Sequence, residues 1–111
     1  NGTAAKTIQF STLPDRIGAQ PLAGATLTGR QVYIFVGPTT PIADASVYFR
    51  RDGRLIKVEN VVPYDLGGTA RNGTARPFPL TGLRRGGNTI SVEFRLPGGV
   101  SITQTARFTR P

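Results

Sequence analysis

The residue types that this chain lacks restrict the chemistry open to it. The 111 residues include no His, Cys, Met or Trp, which excludes a Ser–His or Cys–His nucleophile pair, a thiolate and the usual zinc site. The six carboxylates are spread along the chain, at Asp15, Asp44, Asp52, Glu59, Asp65 and Glu93. A glycosidase needs two carboxyl groups across a cleft, and a calcium site needs several acidic oxygens in one loop. The sequence therefore predicts a protein that is not an enzyme and holds no metal or cofactor.

Arginine is the residue type that offers binding chemistry. The chain has 14 Lys+Arg against 6 Asp+Glu, a formal net charge of +8. A guanidinium group binds sulfate, carboxylate or phosphate with two parallel hydrogen bonds. The alternative interpretation, which the scatter of arginines along the chain favours, is solvated turns with local ion pairs to Asp52 or Asp65. Candidate contacts for an anionic glycan or another polyanion are the arginines of two turns and one neighbouring tyrosine: Tyr48, Arg50, Arg51, Arg54, Arg84 and Arg85.

The elements that would position these residues are strands. Alternating apolar and polar residues, separated by Gly and Pro, are typical of β-structure, and no segment has helical periodicity. Asp52-Gly53 predicts a two-residue hairpin of type I′, which needs positive φ at both residues. Residues 11–25, 37–44 and 67–77 are predicted as connections. The predicted strands are 7–10, 31–36, 46–51, 54–61, 78–80, 89–96 and 100–108.

The apolar residues of these strands predict the core. Gln104 also falls on the inward face of the last strand, where it predicts a partnered buried amide, a bulge or a shifted register. The two arginine-bearing turns could lie at opposite ends of the fold, so the arginine clusters need not merge. The predicted core residues are Val32, Ile34, Val36, Val47, Phe49, Ile56, Val58, Ile90, Val92, Phe94, Ile102 and Phe108.

The order of the segments resembles a known type of module. From Val47 the chain reads VYFRRDGRLIKVENVVPYDLGGTA, then RPFPLTGLRRGGNTISVEFRL, then GGVSITQTARFT. This order is similar to the bacterial immunoglobulin-like modules of secreted multidomain proteins, over roughly residues 30 to 109. The resemblance implies an all-β, antiparallel, immunoglobulin-like β-sandwich of about seven strands, without the Cys–Trp–Cys set. It also implies a secreted or cell-surface location and a role as an accessory or spacer domain.

These observations predict a non-catalytic accessory or spacer module of a larger bacterial protein. Residues 1–6 are interpreted as a linker remnant and 7–111 as one domain, with other domains of the same polypeptide as partners. The first alternative is a binding module for acidic polysaccharide, and the second is a self-assembling surface or filament subunit that pairs by edge strands. No apolar run is long enough for a membrane helix. Aromatic and basic residues interleave only at Tyr48 and Arg50, which argues against nucleic acid.

Overall fold

The described part of the chain contains eight strands in two antiparallel sheets. The structure, a computed structural model, describes residues 7–37, 46–60 and 64–111. The strands are β1 (Thr7–Ser11), β2 (Gln20–Pro21), β3 (Gln31–Gly37), β4 (Ser46–Arg51), β5 (Arg54–Glu59), β6 (Phe78–Pro79), β7 (Gly86–Arg95) and β8 (Ser101–Arg110). Residues 97–99 form a 3₁₀ turn between β7 and β8. Within the described ranges, no helix has the length and apolar character needed to cross a membrane.

The strand order confirms the predicted sandwich. The first sheet has the order β2-β1-β3-β6 and the second sheet the order β5-β4-β7-β8, and every strand pair is antiparallel. One cluster of buried apolar side chains from both sheets forms the core. The fold is therefore an antiparallel, immunoglobulin-like β-sandwich, and β2 is the strand that the sequence did not predict.

Two connections extend the sheets beyond the named strands. Residues 24–27 lie beside β8, where the Leu27 N–H donates to the Thr109 carbonyl at 2.9 Å. Residues 64–66 lie beside β3, where the Leu66 N–H donates to the Ile34 carbonyl at 2.8 Å. These pairings satisfy backbone groups of β8 in the second sheet and of β3 in the first sheet. The connections are therefore part of the packed fold.

The core agrees with the prediction except at β5. Nine of the twelve predicted core residues are buried, and Ile102 is half-buried against the cluster. Ile56 and Val58 were predicted as core, and that prediction is wrong because their exposed fractions are 39% and 38%. The connections supply buried side chains that the strand pattern did not predict: Leu22, Leu27, Tyr64, Leu66, Leu80 and Leu83.

A β-bulge explains the error at β5. Phe49 lies opposite Lys57, whereas the next β4 residue, Arg50, lies opposite Leu55. Ile56 is therefore the extra residue, and beyond it the inward and outward positions of β5 are exchanged. Directly opposed residues share a face of the sheet, so Lys57 faces inward with Phe49 and Val58 faces outward with Tyr48.

The hairpin turn predicted at Asp52-Gly53 is confirmed, whereas β7 and β8 are longer than predicted. Asp52 and Gly53 have φ values of 49° and 85°, as a type I′ turn requires. β7 begins at Gly86, three residues earlier than predicted, and β8 runs on to Arg110. Gln104 is half-buried and lies opposite Val92 in regular register. The predicted loop 37–44, apart from its first residue, and residue 61 of the predicted fourth strand lie outside the described residues.

Candidate anion-binding surface

The two arginine-bearing turns lie at the same end of the sandwich. The β4–β5 hairpin meets the start of β7, because the Asp52 N–H donates to the Thr89 carbonyl at 2.9 Å. In return, the Thr89 N–H donates to Asp52 Oδ1 at 3.1 Å. Arg84 Nη2 lies 3.4 Å from the same Oδ1. The structure therefore merges the two clusters that the sequence allowed to stay apart.

Further arginines join this end from other strands. Arg30 and Arg110 flank the turn at residues 80–83: the Leu80 N–H donates to the Arg30 carbonyl at 2.8 Å, and Arg110 Nη1 donates to a carbonyl of this turn. Arg107 lies opposite the β7 residue that bonds Asp52. We call this region the arginine end, and its seven arginines are Arg30, Arg51, Arg54, Arg84, Arg85, Arg107 and Arg110.

Main-chain carbonyls hold several of these side chains in place. Arg84 Nε donates to the Gly87 carbonyl at 3.2 Å, and Arg85 Nη1 donates to the Pro111 carbonyl at 3.4 Å. The Asn88 amide donates to the Arg84 carbonyl at 2.9 Å, which fixes the turn itself. Because each guanidinium carries five N–H donors, these arginines keep donors for a ligand.

The arginine end has a large excess of positive charge. In the described part of the chain, Asp52 is its one side-chain carboxylate. The side chains of four of its arginines make no hydrogen bond or ion pair with another described residue: Arg30, Arg51, Arg54 and Arg107. All of the seven are exposed except Arg51 and Arg110, which are half-buried. Guanidinium groups that cluster at one end with few carboxylates produce a positive electrostatic potential, which attracts anions.

Tyr48 and Arg50 lie on the outer face of the second sheet, where they contact Arg95 and Glu93. Arg50 Nη1 donates to Glu93 Oε1 at 2.8 Å, and Arg95 Nε donates to Glu93 Oε2 at 3.1 Å. The Arg95 Cζ atom stacks 3.9 Å from the centroid of the Tyr48 ring. Ser101 Oγ adds a third donor to Glu93 at 3.1 Å. Arg95 thus covers one face of the ring on which a sugar could otherwise stack.

This group, which we call the Glu93 network, consists of Tyr48, Arg50, Glu93, Arg95 and Ser101. The last three were not predicted as site residues. The hydrogen bonds from Arg95, with those from Arg50 and Ser101, lower the pKa of Glu93 to about 2. Glu93 in turn raises the pKa of Arg95. The available signal was positional: Glu93 lies directly opposite Tyr48 on one face, and Arg95 is two residues further along that face.

Asp65 pairs with an arginine that lies outside the predicted arginine clusters. Its carboxylate is fully buried and receives Arg16 Nε at 2.9 Å and Arg16 Nη2 at 2.5 Å. Thr69 Oγ1 donates to the same carboxylate at 2.6 Å. The pair joins the turn after β1 to the loop after residue 64, so its role is structural.

The remaining described carboxylates are also engaged locally. Asp15 Oδ1 accepts the Ile17 N–H at 3.0 Å, and Glu59 lies 3.7 Å from Lys57 Nζ. Burial raises the pKa of Glu59, and the nearby Asp65 raises it further, whereas Lys57 opposes both. Asp44 lies outside the described residues. Within the described ranges, no group of three acidic, His or Cys side chains could hold a metal ion.

Two surface depressions among the described residues flank the connection around Pro21; one is bordered by Phe10 and Thr26, and the other by Ile8 and Gln104. Neither is lined by a carboxylate or an arginine. These depressions therefore do not overlap the arginine end or the Glu93 network.

Comparisons with known proteins give a similarity in structure but not in sequence family. No protein-family model and no curated protein sequence matches the chain. Among solved structures, CopC from Methylosinus trichosporium OB3b is similar, with a TM-score of 0.38 and 15% sequence identity. The alignment covers 79% of this chain and 83% of that chain. The β-sandwich fold follows from the strand order and register described above.

Proposed function

We propose that this domain is a non-catalytic, immunoglobulin-like accessory or spacer module of a larger secreted or cell-surface bacterial protein. The observation that carries the proposal is that the described carboxylates already have partners within the protein. Every described carboxylate is hydrogen-bonded or ion-paired with a guanidinium, an ammonium or the main chain, which supports structural roles for these five rather than acid–base or nucleophilic ones. The sandwich with one shared core also supports a unit that folds on its own and sets the spacing of its neighbours.

The proposal predicts a monomer without hydrolytic activity. The isolated domain is incubated with a panel of neutral and acidic polysaccharides, and reducing ends are measured, with a known hydrolase as positive control. Sedimentation velocity over a hundredfold range of concentration measures the oligomeric state. Release of reducing ends would contradict the non-catalytic assignment, and a concentration-dependent dimer or polymer would contradict the spacer role.

Binding of acidic polysaccharide is a second candidate function, favoured by the convergence of two arginine-bearing turns. The structure changes the membership of the candidate surface: Arg51, Arg54, Arg84 and Arg85 lie at the arginine end, whereas Tyr48 and Arg50 belong to the Glu93 network. The panel test separates the two functions, because a spacer binds no glycan at any salt concentration. A glycan bound at physiological salt would support the binding function, and attraction that vanishes with salt would indicate only a basic surface.

Self-assembly through exposed strand edges has less support at β5. Natural edge strands avoid pairing with other chains through bulges and inward-pointing charges. β5 has both features, because its register shifts at Ile56 and its inward positions hold Lys57 and Glu59. The edge of β8 is covered near its C-terminal end by residues 24–27. The same sedimentation experiment tests this third function.

A further inference from the structure

The arginine end combines unpaired guanidinium groups with a carboxylate of its own. We infer that it is a localised site for the sulfate or carboxylate groups of an acidic polysaccharide, and that Asp52 is the internal counter-ion with which such a ligand competes. This inference rests on the second candidate function. A merely basic protein would attract anions over its whole surface. The inference instead assigns binding to the arginine end and names Asp52 as the residue that opposes binding.

The first argument is the state of the arginine side chains. The side chains of Arg54 and Arg107 are exposed and bond no described residue, so an anion meets guanidinium donors that no described acceptor uses. Arg84 and Arg85 are oriented by main-chain carbonyls at 3.2 and 3.4 Å. Ordering these long side chains before the ligand arrives lowers the entropy lost on binding. The site therefore contains both unpaired and preoriented donors.

The second argument is the position of Asp52. Its Oδ1 lies 3.4 Å from Arg84 Nη2 and also accepts the Thr89 N–H at 3.1 Å. An anion that approaches Arg84 meets repulsion from this carboxylate and competes with it for the guanidinium. The repulsion acts at short range, so it is felt at this end and weakly elsewhere.

Asp52→Asn separates the charge of Asp52 from its structural role. Asn keeps the Oδ1 atom that accepts the Thr89 N–H. Asn-Gly is also among the most favourable pairs for a type I′ turn, in which both residues have positive φ. The variant therefore retains the hairpin and removes only the negative charge.

The ligand class follows from what the surface presents. The turns at residues 51–54 and 80–88 contain no aromatic residue, so they offer no ring on which a nucleic-acid base could stack. The hairpin loop is only two residues long, and no helix is available at these turns to enter a DNA groove. Spaced guanidinium groups on blunt turns fit the charged groups along a polysaccharide chain.

The test measures binding of a heparin-derived sulfated oligosaccharide of fixed length by calorimetry at several salt concentrations. The site variants are Asp52→Asn, Arg54→Gln and Arg85→Gln. The matched control for Asp52→Asn is Glu59→Gln, which changes the net charge equally. Glu59 lies at the other end of β5, about 17 Å away at ~3.4 Å per residue. The control for the arginine variants is Arg95→Gln, at the far end of β7.

We expect Asp52→Asn to bind about two- to fivefold more tightly, and each arginine variant about two- to fivefold more weakly. The salt dependence should become shallower by about one unit of slope for each lost contact. Glu59→Gln and Arg95→Gln should match the wild type. Thermal melting of each variant establishes that the fold is kept.

Other results would overturn the inference, and they separate it from the function on which it rests. Equal effects of Asp52→Asn and Glu59→Gln would mean that net charge governs binding. If the variants at the arginine end bind with the affinity of the wild type, this site is refuted, but polysaccharide binding itself is not. Duplex DNA bound as tightly, with the same dependence on the variants, would refute the ligand class. No binding of any probe would refute both the site and the second candidate function.

Discussion

Removal of Arg16 should destabilise the domain far more than removal of any exposed arginine. Asp65 has no exposed surface, and the side chain of Arg16 is 14% exposed. Arg16→Ala takes two donors from a buried carboxylate and leaves it the Thr69 hydroxyl. Breaking a buried ion pair from one side costs about 3–5 kcal/mol, because the remaining charge stays buried. For a domain of this length, 3 kcal/mol lowers the melting temperature by about 12–24 °C.

The unusual backbone conformation of Arg16 does not affect the stability change expected for Arg16→Ala. Arg16 has a φ of 67°, in the region that favours glycine, but alanine is no better suited there than arginine. Urea unfolding followed by far-ultraviolet circular dichroism measures the free energy of unfolding. Arg84→Ala is the matched control, since its pair with Asp52 is 3.4 Å long and the Arg84 side chain is 67% exposed. Exposed pairs contribute about 0–1 kcal/mol.

The reasoning fails if Arg16→Ala costs less than about 1 kcal/mol, or no more than Arg84→Ala, because burial would then not decide the strength of the pair. A second variant tests the cause of the loss. Replacing both partners with apolar residues, as in Arg16→Met with Asp65→Leu, leaves no unpaired charge. The double variant should therefore be more stable than Arg16→Ala, and an additive loss would contradict the explanation.

Three further predictions concern the core, the Glu93 network and a close backbone approach. Phe49→Ala should cost about 3–5 kcal/mol in urea unfolding, since the ring is fully buried. The Glu93 carboxyl should titrate near pH 2 by NMR, and Arg95→Gln should move that midpoint upward; this lowered pKa stabilises the fold above about pH 4 and is lost as the pH falls toward 2. Gly67→Ala should cost about 1–3 kcal/mol, because its Cβ would lie 2.6 and 2.7 Å from two backbone carbonyl oxygens. Gly87→Ala, with open space around it, should melt near the wild-type temperature.

The sequence predicts the sandwich and most of its core because alternation and turn chemistry agree along most strands. Ile90, Val92 and Phe94 alternate without interruption, and all three are fully buried. β5 is the exception, because the bulge at Ile56 depends on how the edge strand pairs with β4. A bulge of one residue leaves no mark in the alternation of β5 itself. Leu22 and Leu83 were not predicted as core residues, since single leucines in irregular segments carry no periodicity.

The sequence predicts that arginines form the candidate site, but it does not predict which arginines lie together in the fold. Arg54 and Arg85 are 31 positions apart in the chain, and only the pairing of β4 with β7 brings their turns to one end. Arg107 joins them because β8 pairs with β7 in the opposite direction. Antiparallel strands return the chain to the same end of the sheet at every second turn. Charges that look scattered in the sequence can therefore be concentrated in space.

The structure also divides the arginines by what each one already bonds, and this division decides which of them can serve a ligand. Arg16 is committed to a buried carboxylate, and its loss should appear in stability. Arg50 and Arg95 share Glu93 on the outer face, so a ligand there would first have to compete with that carboxylate. At the arginine end the balance is reversed, because the described residues there provide seven guanidinium groups and one side-chain carboxylate, that of Asp52. The net charge of the chain does not reveal this difference, whereas the change in affinity caused by Asp52→Asn would measure it directly.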